Sequence, residues 1–379
     1  MQSRRQAKRI KKVLVYLFGS LGDTIVAIPA LRALRRHFSG AEIVLLQNVQ
    51  SVGIVRASEV IPEGLIDRTL EYASDERGSN QISIYFHLWK KIRAEKFDAA
   101  AYLVLSERPR RSVIRDRYFF RSCGIREFIG FHAFTKEQLY PVDTTGRPSV
   151  TEHEAIRKLS RLGRDGVEIL KSDDLRQPFF TFTSAEKEML REWLQPQRKH
   201  PELPLVAIAP GCKTPANFWP TENFIRIAQE IIARKLCEIV IVGGSAETAT
   251  AEKMIAEVGG GIHAAGKFSV RESAILVSMC DLYVGLDTGT THLAAAVGTP
   301  SVTVFHQRDN PGQWFPLGSG HTLFQHEVPC AGCRLQICPV ENHPCMNKIS
   351  FEPVLTEVMN LLSSPAKEND ADNVRVIKL

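Results

Sequence analysis

The chain has 379 residues, 44% of them hydrophobic and 24% charged, with 25 Gly, 20 Pro and 8 Cys. That is too long for one compact core and comfortable for two domains, and it excludes a disordered, collagenous or small disulfide-stapled protein. The net charge of +6 is uneven: residues 1–180 hold 31 Lys/Arg against 21 Asp/Glu, whereas 181–379 hold 17 against 21. A basic front half and a mildly acidic back half point to an anionic partner for the front half, or simply to a solvated surface.

The stretch Val13–Ile28 follows a basic start (Arg4, Arg5, Lys8, Arg9, Lys11, Lys12), but Asp23 interrupts it and Arg32, Arg35 and Arg36 follow it without a small-residue cleavage site. It reads as a strand and a helix, and the chain is expected in the cytoplasm. The basic start could also touch an anionic leaflet.

Short apolar runs alternate with helical periodicity, the pattern of parallel βαβ units. The predicted elements of the front half are strand 12–18, helix Thr24–Phe38, strand 41–47, helix 80–94, strand 97–105, an Arg-rich helix 108–123, a short strand Glu127–Gly130 and a helix His153–Leu162. In the back half, Thr183 and Glu186 form a capping box for a helix ending at Leu194. Strand 204–210, helix 221–234, strand 238–244, helix 246–258 and a short strand 262–265 follow. Helix 270–278, strand 281–286, helix 290–297, strand 301–305 and helix 351–362 complete the pattern, with a mobile polar tail after Ser363. The expected fold class is α/β: two doubly wound, Rossmann-like domains facing across a cleft. Residues 1–180 and 181–350 are the two expected domains, followed by a closing helix and tail over 351–379. In such folds ligands sit where loops leave the carboxyl ends of strands.

Three strand-end segments carry chemistry. GSLGD (19–23) lets the backbone turn tightly and puts Asp23 at a helix N-terminus, either as a cap or as a general base toward an acceptor hydroxyl. It lacks the G-x-G-x-x-G spacing of a dinucleotide site. APGCKTPANFWP (209–220) offers backbone amides and Lys213, as a diphosphate cradle or an ordinary loop. GLDTGTTHLAAAVGTP (285–300) is the most specific: Asp287 ends a strand, and Thr288, Gly289, Thr290 and His292 bring amides, hydroxyls and a helix dipole to one anion site. Glu247 in GGSAETA (243–249) is either a ribose ligand or a helix-start acid.

In this order these segments resemble glycosyltransferase family 9, the ADP-heptose–lipopolysaccharide heptosyltransferases. SLGD (20–23) with IPALRALRR (28–36) matches the family's opening, PG…WP (210–220) its second-domain start, and DTGTTHLAAAVGTP (287–300) its most characteristic stretch. VFHQRDNPGQWFP (304–316) resembles its downstream loop, with His306 where the family has Gly. The resemblance implies a GT-B fold and inverting transfer of heptose from ADP-heptose to the lipopolysaccharide inner core. It puts the catalytic base on Asp23, diphosphate contacts on 211–213 and on Thr288, Gly289, Thr290 and His292, Asp287 near the adenine, and Glu247 at the ribose. Many members carry Lys where this chain has Asn217; Lys213 is the expected substitute for that charge. No cofactor and no metal ligand are expected, since the only D-x-D string, Asp370-Ala371-Asp372, lies in the tail.

Seven Arg fall within 107–126, and Arg108, Arg110 and Arg111 directly follow strand 97–105, where they either bind an anionic glycolipid acceptor or form the solvated face of an exposed helix that buries Tyr118, Phe119 and Phe120. The expected partners are thus a nucleotide sugar, that glycolipid and, transiently, the inner face of the inner membrane as a peripheral protein; nucleic acid is not expected. Cys330, Cys333, Cys338 and Cys345 form C-x2-C-x4-C-x6-C, open between reduced structural thiols, a thiolate metal site and a disulfide. Two other functions remain open: transfer with a different nucleotide-sugar donor or acceptor, and a non-catalytic anionic-glycan-binding module.

Overall fold

A computed structural model describes residues 10–48, 56–72, 81–170, 173, 179–363 and 374–379. Two compact units divide the chain: Met1–Leu139 with Glu154–Asp174, and Tyr140–His153 with Leu175–Leu379. The basic residues up to Arg9 and Asp370-Ala371-Asp372 lie outside the described residues.

In the first unit β1 (Lys12–Tyr16) leads through α1 (Leu21–Ile25) and α2 (Ile28–His37) to β2 (Glu42–Asn48), and α3 (Ala57–Val60) precedes β3 (Arg68–Tyr72). Then come α4 (Gln81–Glu95), β4 (Ala99–Tyr102), α5 (Arg110–Ser122), β5 (Glu127–Ile129), α6 (Lys136–Leu139) and α7 (Glu154–Arg164). The strands make a parallel five-stranded sheet in the order β3-β2-β1-β4-β5. Alternate residues serve opposite faces: Val13, Val15, Ile43 and Leu45 join one core, and Leu14, Val44, Leu46 and Ala100 the other. The helix expected over Thr24–Phe38 is broken in two, because Pro29 in the first turn of α2 cannot donate to the preceding turn.

The second unit contains α8 (Ser184–Leu194), β6 (Leu205–Ile208), α9 (Thr221–Ala233), β7 (Glu238–Ile241), α10 (Thr248–Val258), β8 (Ile262–His263) and α11 (Val270–Ser278). It continues with β9 (Leu282–Leu286), α12 (Gly289–Val297), β10 (Ser301–Val304), β11 (His321–Gln325), α13 (Pro344–Asn347), α14 (Phe351–Ser363) and β12 (Arg375–Lys378). Its parallel sheet runs β12-β11-β10-β9-β6-β7-β8. Thr183 caps α8 as expected, its hydroxyl accepting from the Glu186 amide. Trp219 is buried against Phe224 and donates to the Ile349 carbonyl at 2.8 Å, tying the start of α9 to the segment before α14.

The expectation of a mobile tail after Ser363 is corrected at its end. Arg375–Lys378 pairs with β11 as an edge strand, and the Arg375 guanidinium meets the buried Glu357 carboxylate. Residues 364–373 lie outside the described residues. The 140–153 segment docks on the second unit: Thr151 donates to the Pro311 carbonyl at 2.9 Å, and Asn310 Nδ2 donates to the carbonyls of Pro141 and Ser149 at 2.8 and 3.1 Å.

α7 carries a buried charge cluster. The Glu154 carboxylate accepts from the Ser106 amide (2.9 Å), the Ser106 hydroxyl (3.1 Å) and Lys158 Nζ (2.9 Å). Lys158 also donates to the Leu103 carbonyl at 3.0 Å, and Arg161 to the Val104 carbonyl at 2.5 Å. The backbone leaving β4 is thereby fixed just ahead of Arg108. Burial alone would raise the Glu154 carboxyl, but the field and hydrogen bond of Lys158, with Arg161 nearby, hold it below the usual carboxylate range.

Candidate functional site

In the first sheet β1 lies between β2 and β4, where the strand order reverses, so its carboxyl end opens onto the crevice such folds use for ligands. Asp23 stands in the first turn beyond that end. Its Oδ2 accepts from the Ser20 amide at 2.5 Å and the Ser20 hydroxyl at 2.9 Å, while Oδ1 accepts no hydrogen bond among the described residues. One carboxylate oxygen thus closes a capping box with Ser20, the cap among the two functions weighed for it. Gly19 is required here, since at φ +150° a Cβ would lie 2.4 Å from the Asp23 side chain.

Beside this loop a pocket of about 550 Å³ is walled by Tyr16, Phe18, Tyr72, Phe119, Arg108 and Arg115, among others. Asp116 organises its charged wall: it accepts from Tyr102 Oη at 2.9 Å, from Arg115 Nη2 at 2.7 Å and from Arg108 Nη2 at 3.5 Å. Burial pushes the Tyr16 and Tyr72 phenols up, so they remain hydrogen-bond donors at neutral pH. Of the three arginines expected to bind acceptor, Arg108 lines the pocket, whereas Arg110 and Arg111 are exposed on the first turn of α5. Arg115, which sequence reasoning missed, stands beside Arg108; its position one turn into α5 was the available signal.

The second sheet reverses between β6 and β9, and the loops leaving β6, β7, β9 and β10 gather at that end. α12 opens with Thr288 as its N-cap in extended backbone, so the first amides of the helix lead its dipole. Thr288 and Thr290 hydroxyls are 2.8 Å apart, and Thr290 bonds the Tyr283 hydroxyl at 2.8 Å. Thr291 donates to the Leu286 carbonyl at 2.5 Å. A Cβ on Gly285 would lie 2.4 Å from the Tyr283 hydroxyl, so this glycine makes room for the tyrosine that braces the threonines. His292 is buried one turn in, edge-on to Trp314.

Asp287 is held on two sides. Its carbonyl accepts from Asn217 Nδ2 at 2.9 Å, and its carboxylate lies 2.9 Å from His306 Nε2. The Arg308 amide donates to His306 Nδ1 at 3.2 Å, which leaves Nε2 as the proton donor toward Asp287. Asp287, His306 and Asp309 bring potential ligand atoms within 4.8 Å of one another. Arg308, absent from the expected set, reaches Asn217 Oδ1 at 3.4 Å. It brings a guanidinium to the position where the resemblance called for lysine. Lys213 is exposed on the 209–214 loop. Glu247 Oε2 accepts from the Gly244 amide at 2.8 Å, and a Cβ on Gly211 would fall 2.2 Å from Glu247 Cγ, so the loops carrying Gly211 and Glu247 are in contact.

The cysteine-bearing loop buttresses this region. Gly332 and Arg334 amides donate to the Gln307 and Arg308 carbonyls at 2.7 and 2.9 Å, and the Ala216 amide to the Gln336 carbonyl at 3.0 Å. None of the eight cysteines forms a disulfide. Burial pushes the Cys345 thiol up, with Cys338, Cys330 and Cys333 adding to the shift.

The family model described as glycosyltransferase family 9 (heptosyltransferase) matches residues 171–343. The chain is 21% identical over 363 residues to lipooligosaccharide heptosyltransferase 2 of Campylobacter jejuni, covering 93% of this chain and 99% of that protein. Among solved structures, the glycosyl transferase family 9 protein of Veillonella parvula superposes with a TM-score of 0.69 at 18% identity, covering 93% of this chain and 97% of the other. The Escherichia coli ADP-heptose lps heptosyltransferase II gives 0.64 at 18% identity, covering 93% and 98%. These likenesses show the fold, GT-B, with its two Rossmann-like domains.

Proposed function

We propose that the chain is a glycosyltransferase of family 9, and that it transfers heptose from ADP-heptose, with inversion, to an acceptor of the lipopolysaccharide inner core. The observation that carries this reading is the second unit's strand-end cluster. Three hydroxyls, the first turn of α12 and the Arg308 guanidinium surround the Asp287–Thr288 turn, which suits a diphosphate.

The step is a single displacement. Asp23 takes the proton of the acceptor hydroxyl as its oxygen bonds to the anomeric carbon. The bond from that carbon to the β-phosphate oxygen breaks, and ADP leaves with the electron pair. Dipole, hydroxyls and guanidinium meet the charge gathering on the leaving group. The Arg108–Asp116–Arg115 wall and the Tyr16 and Tyr72 phenols suit a phosphorylated, acidic sugar in the first unit's pocket. No helix among the described residues is long and apolar enough to cross a membrane. We assign the enzyme to the cytoplasm, at the inner face of the inner membrane where a glycolipid acceptor would be met.

The test is a titration with ADP-heptose and truncated core acceptors, read by product mass, beside binding of ADP, UDP and GDP. One heptose added and a preference for ADP are expected. Equal binding of the three nucleotides, or transfer of another sugar, overturns the donor assignment.

A further inference from the structure

α4 is apolar on two faces, which a helix covering one side of a sheet does not require. Leu88 and Ile92 supply the buried face, packed on the core below. An adjacent face carries Ile82, Tyr85 and Phe86, with the half-buried Trp89 one turn on; Ile82 is 88% exposed and Phe86 52%. This spacing makes a second stripe, in solvent.

Its neighbour repeats the pattern. On α5, Ile114 and Tyr118 are exposed one turn apart, Tyr118 by 69%. The helices lie side by side: the rings of Tyr85 and Phe119 are 6.1 Å apart, and Trp89 Nε1 donates to Ser122 Oγ at 3.1 Å. The two stripes thus form one patch.

Its charge has one sign. α4 and α5 together hold Lys90, Lys91, Arg93, Arg110, Arg111, Arg115, Arg117 and Arg121; apart from Glu95 at the end of α4, their only acid is Asp116, which is buried. Lys90 Nζ sits 4.5 Å from the centre of the Phe86 ring and Arg93 Cζ 5.1 Å from that of Trp89, so cations rim the aromatic rings. Exposed aliphatic and aromatic tips ringed by Lys and Arg are the composition of a surface that lies in a bilayer interface. A second copy of the chain is a poor occupant, since a twofold contact would set these cations against one another. Nucleic acid would leave Ile82 and Ile114 without a role.

We propose that the α4–α5 face docks on the headgroup region of an anionic phospholipid bilayer, with Ile82, Phe86 and Tyr118 entering the interface. This deepens the proposed function, and rests on it, by naming the surface that brings the enzyme to a lipid-borne acceptor. Tyr85, Phe119 and Arg115 belong both to this region and to the 550 Å³ pocket, so the pocket opens beside the docking face.

The test is co-sedimentation of the full chain with phosphatidylcholine vesicles, with and without phosphatidylglycerol, at low and high salt. The variants are Ile82→Ser with Phe86→Ser, Tyr118→Ser, and Lys90→Gln with Arg121→Gln, none of which lines the pocket. Binding is expected only with the anionic lipid, weakening with salt and falling about fivefold for each cation removed. Transfer to a water-soluble truncated acceptor should be unchanged. Equal binding to neutral vesicles, or variants that bind like the parent, overturns the proposal. A dimer abolished by the same variants in sedimentation velocity overturns it too and assigns the face to a second copy. Vesicle binding without transfer of heptose would instead remove the proposed function and leave the docking face standing.

Discussion

His306 Nε2 lies 2.9 Å from the Asp287 carboxylate, immediately before the turn that opens α12. The imidazole is fixed from behind by the Arg308 amide, so it orients Asp287 as a rigid donor. His306→Ala should lower ADP affinity roughly tenfold or more, the cost of removing a hydrogen bond to a charged group. Calorimetric titration with ADP checks this, and His306→Gln, which keeps a donor, should recover part of the loss.

Asp23→Asn should cut transfer by about 10²–10⁴-fold, the range for a general base, and leave ADP binding unchanged because every cradle residue is in the other unit. Turnover like that of the parent would dismiss the base assignment. Gly19→Ala should be nearly as damaging, since its Cβ would press on the same carboxylate from a backbone conformation alanine disfavours. Single-turnover assays and calorimetry separate the two effects.

Arg308→Gln should lower kcat more than ADP affinity if the guanidinium meets charge that develops during departure of the diphosphate. Adding Asn217→Lys should restore part of the rate, because Asn217 Oδ1 and Arg308 Nη1 are only 3.4 Å apart. No restoration would mean that the two positions do not share one function.

Lys158→Met should destabilise the first unit by about 3–5 kcal/mol by stranding a buried carboxylate. The Glu154 carboxyl is held below its ordinary value in the folded chain, so its contribution is complete above the unfolded value, about 4.3, and is lost as pH falls through the folded one. Glu154→Gln should therefore flatten the acid limb of stability. Urea unfolding between neutral and acidic pH measures it.

Strand-and-helix alternation made most of both sheets readable, because β1, β2, β6 and β9 are apolar on both faces. β3, β11 and β12 were not readable: RTLEY and RVIK carry charges at their ends and lie at sheet edges, while HTLFQ is buried throughout yet sets His321, Thr322 and Gln325 around only two apolar residues. The site divides similarly. Asp23, Thr288, Gly289 and Thr290 announced themselves through turn chemistry at strand ends. Arg308 and His306 follow a strand as well, but their partners, Asn217 and Asp287, are far away in sequence, so only the fold brings them together. The burial of the α7 cations was not legible, since nothing local reveals that carbonyls beyond β4 await them.

The strip Tyr140–His153 lies with the second unit although chain from the first stands on both sides of it. The polypeptide therefore passes from one unit to the other three times, and no single cut of the gene yields both intact. A fragment ending near residue 180 would carry away the backbone that Asn310 grips, and its complement would begin without it. To be expressed alone, either half needs this strip excised from the first reading frame and grafted onto the second.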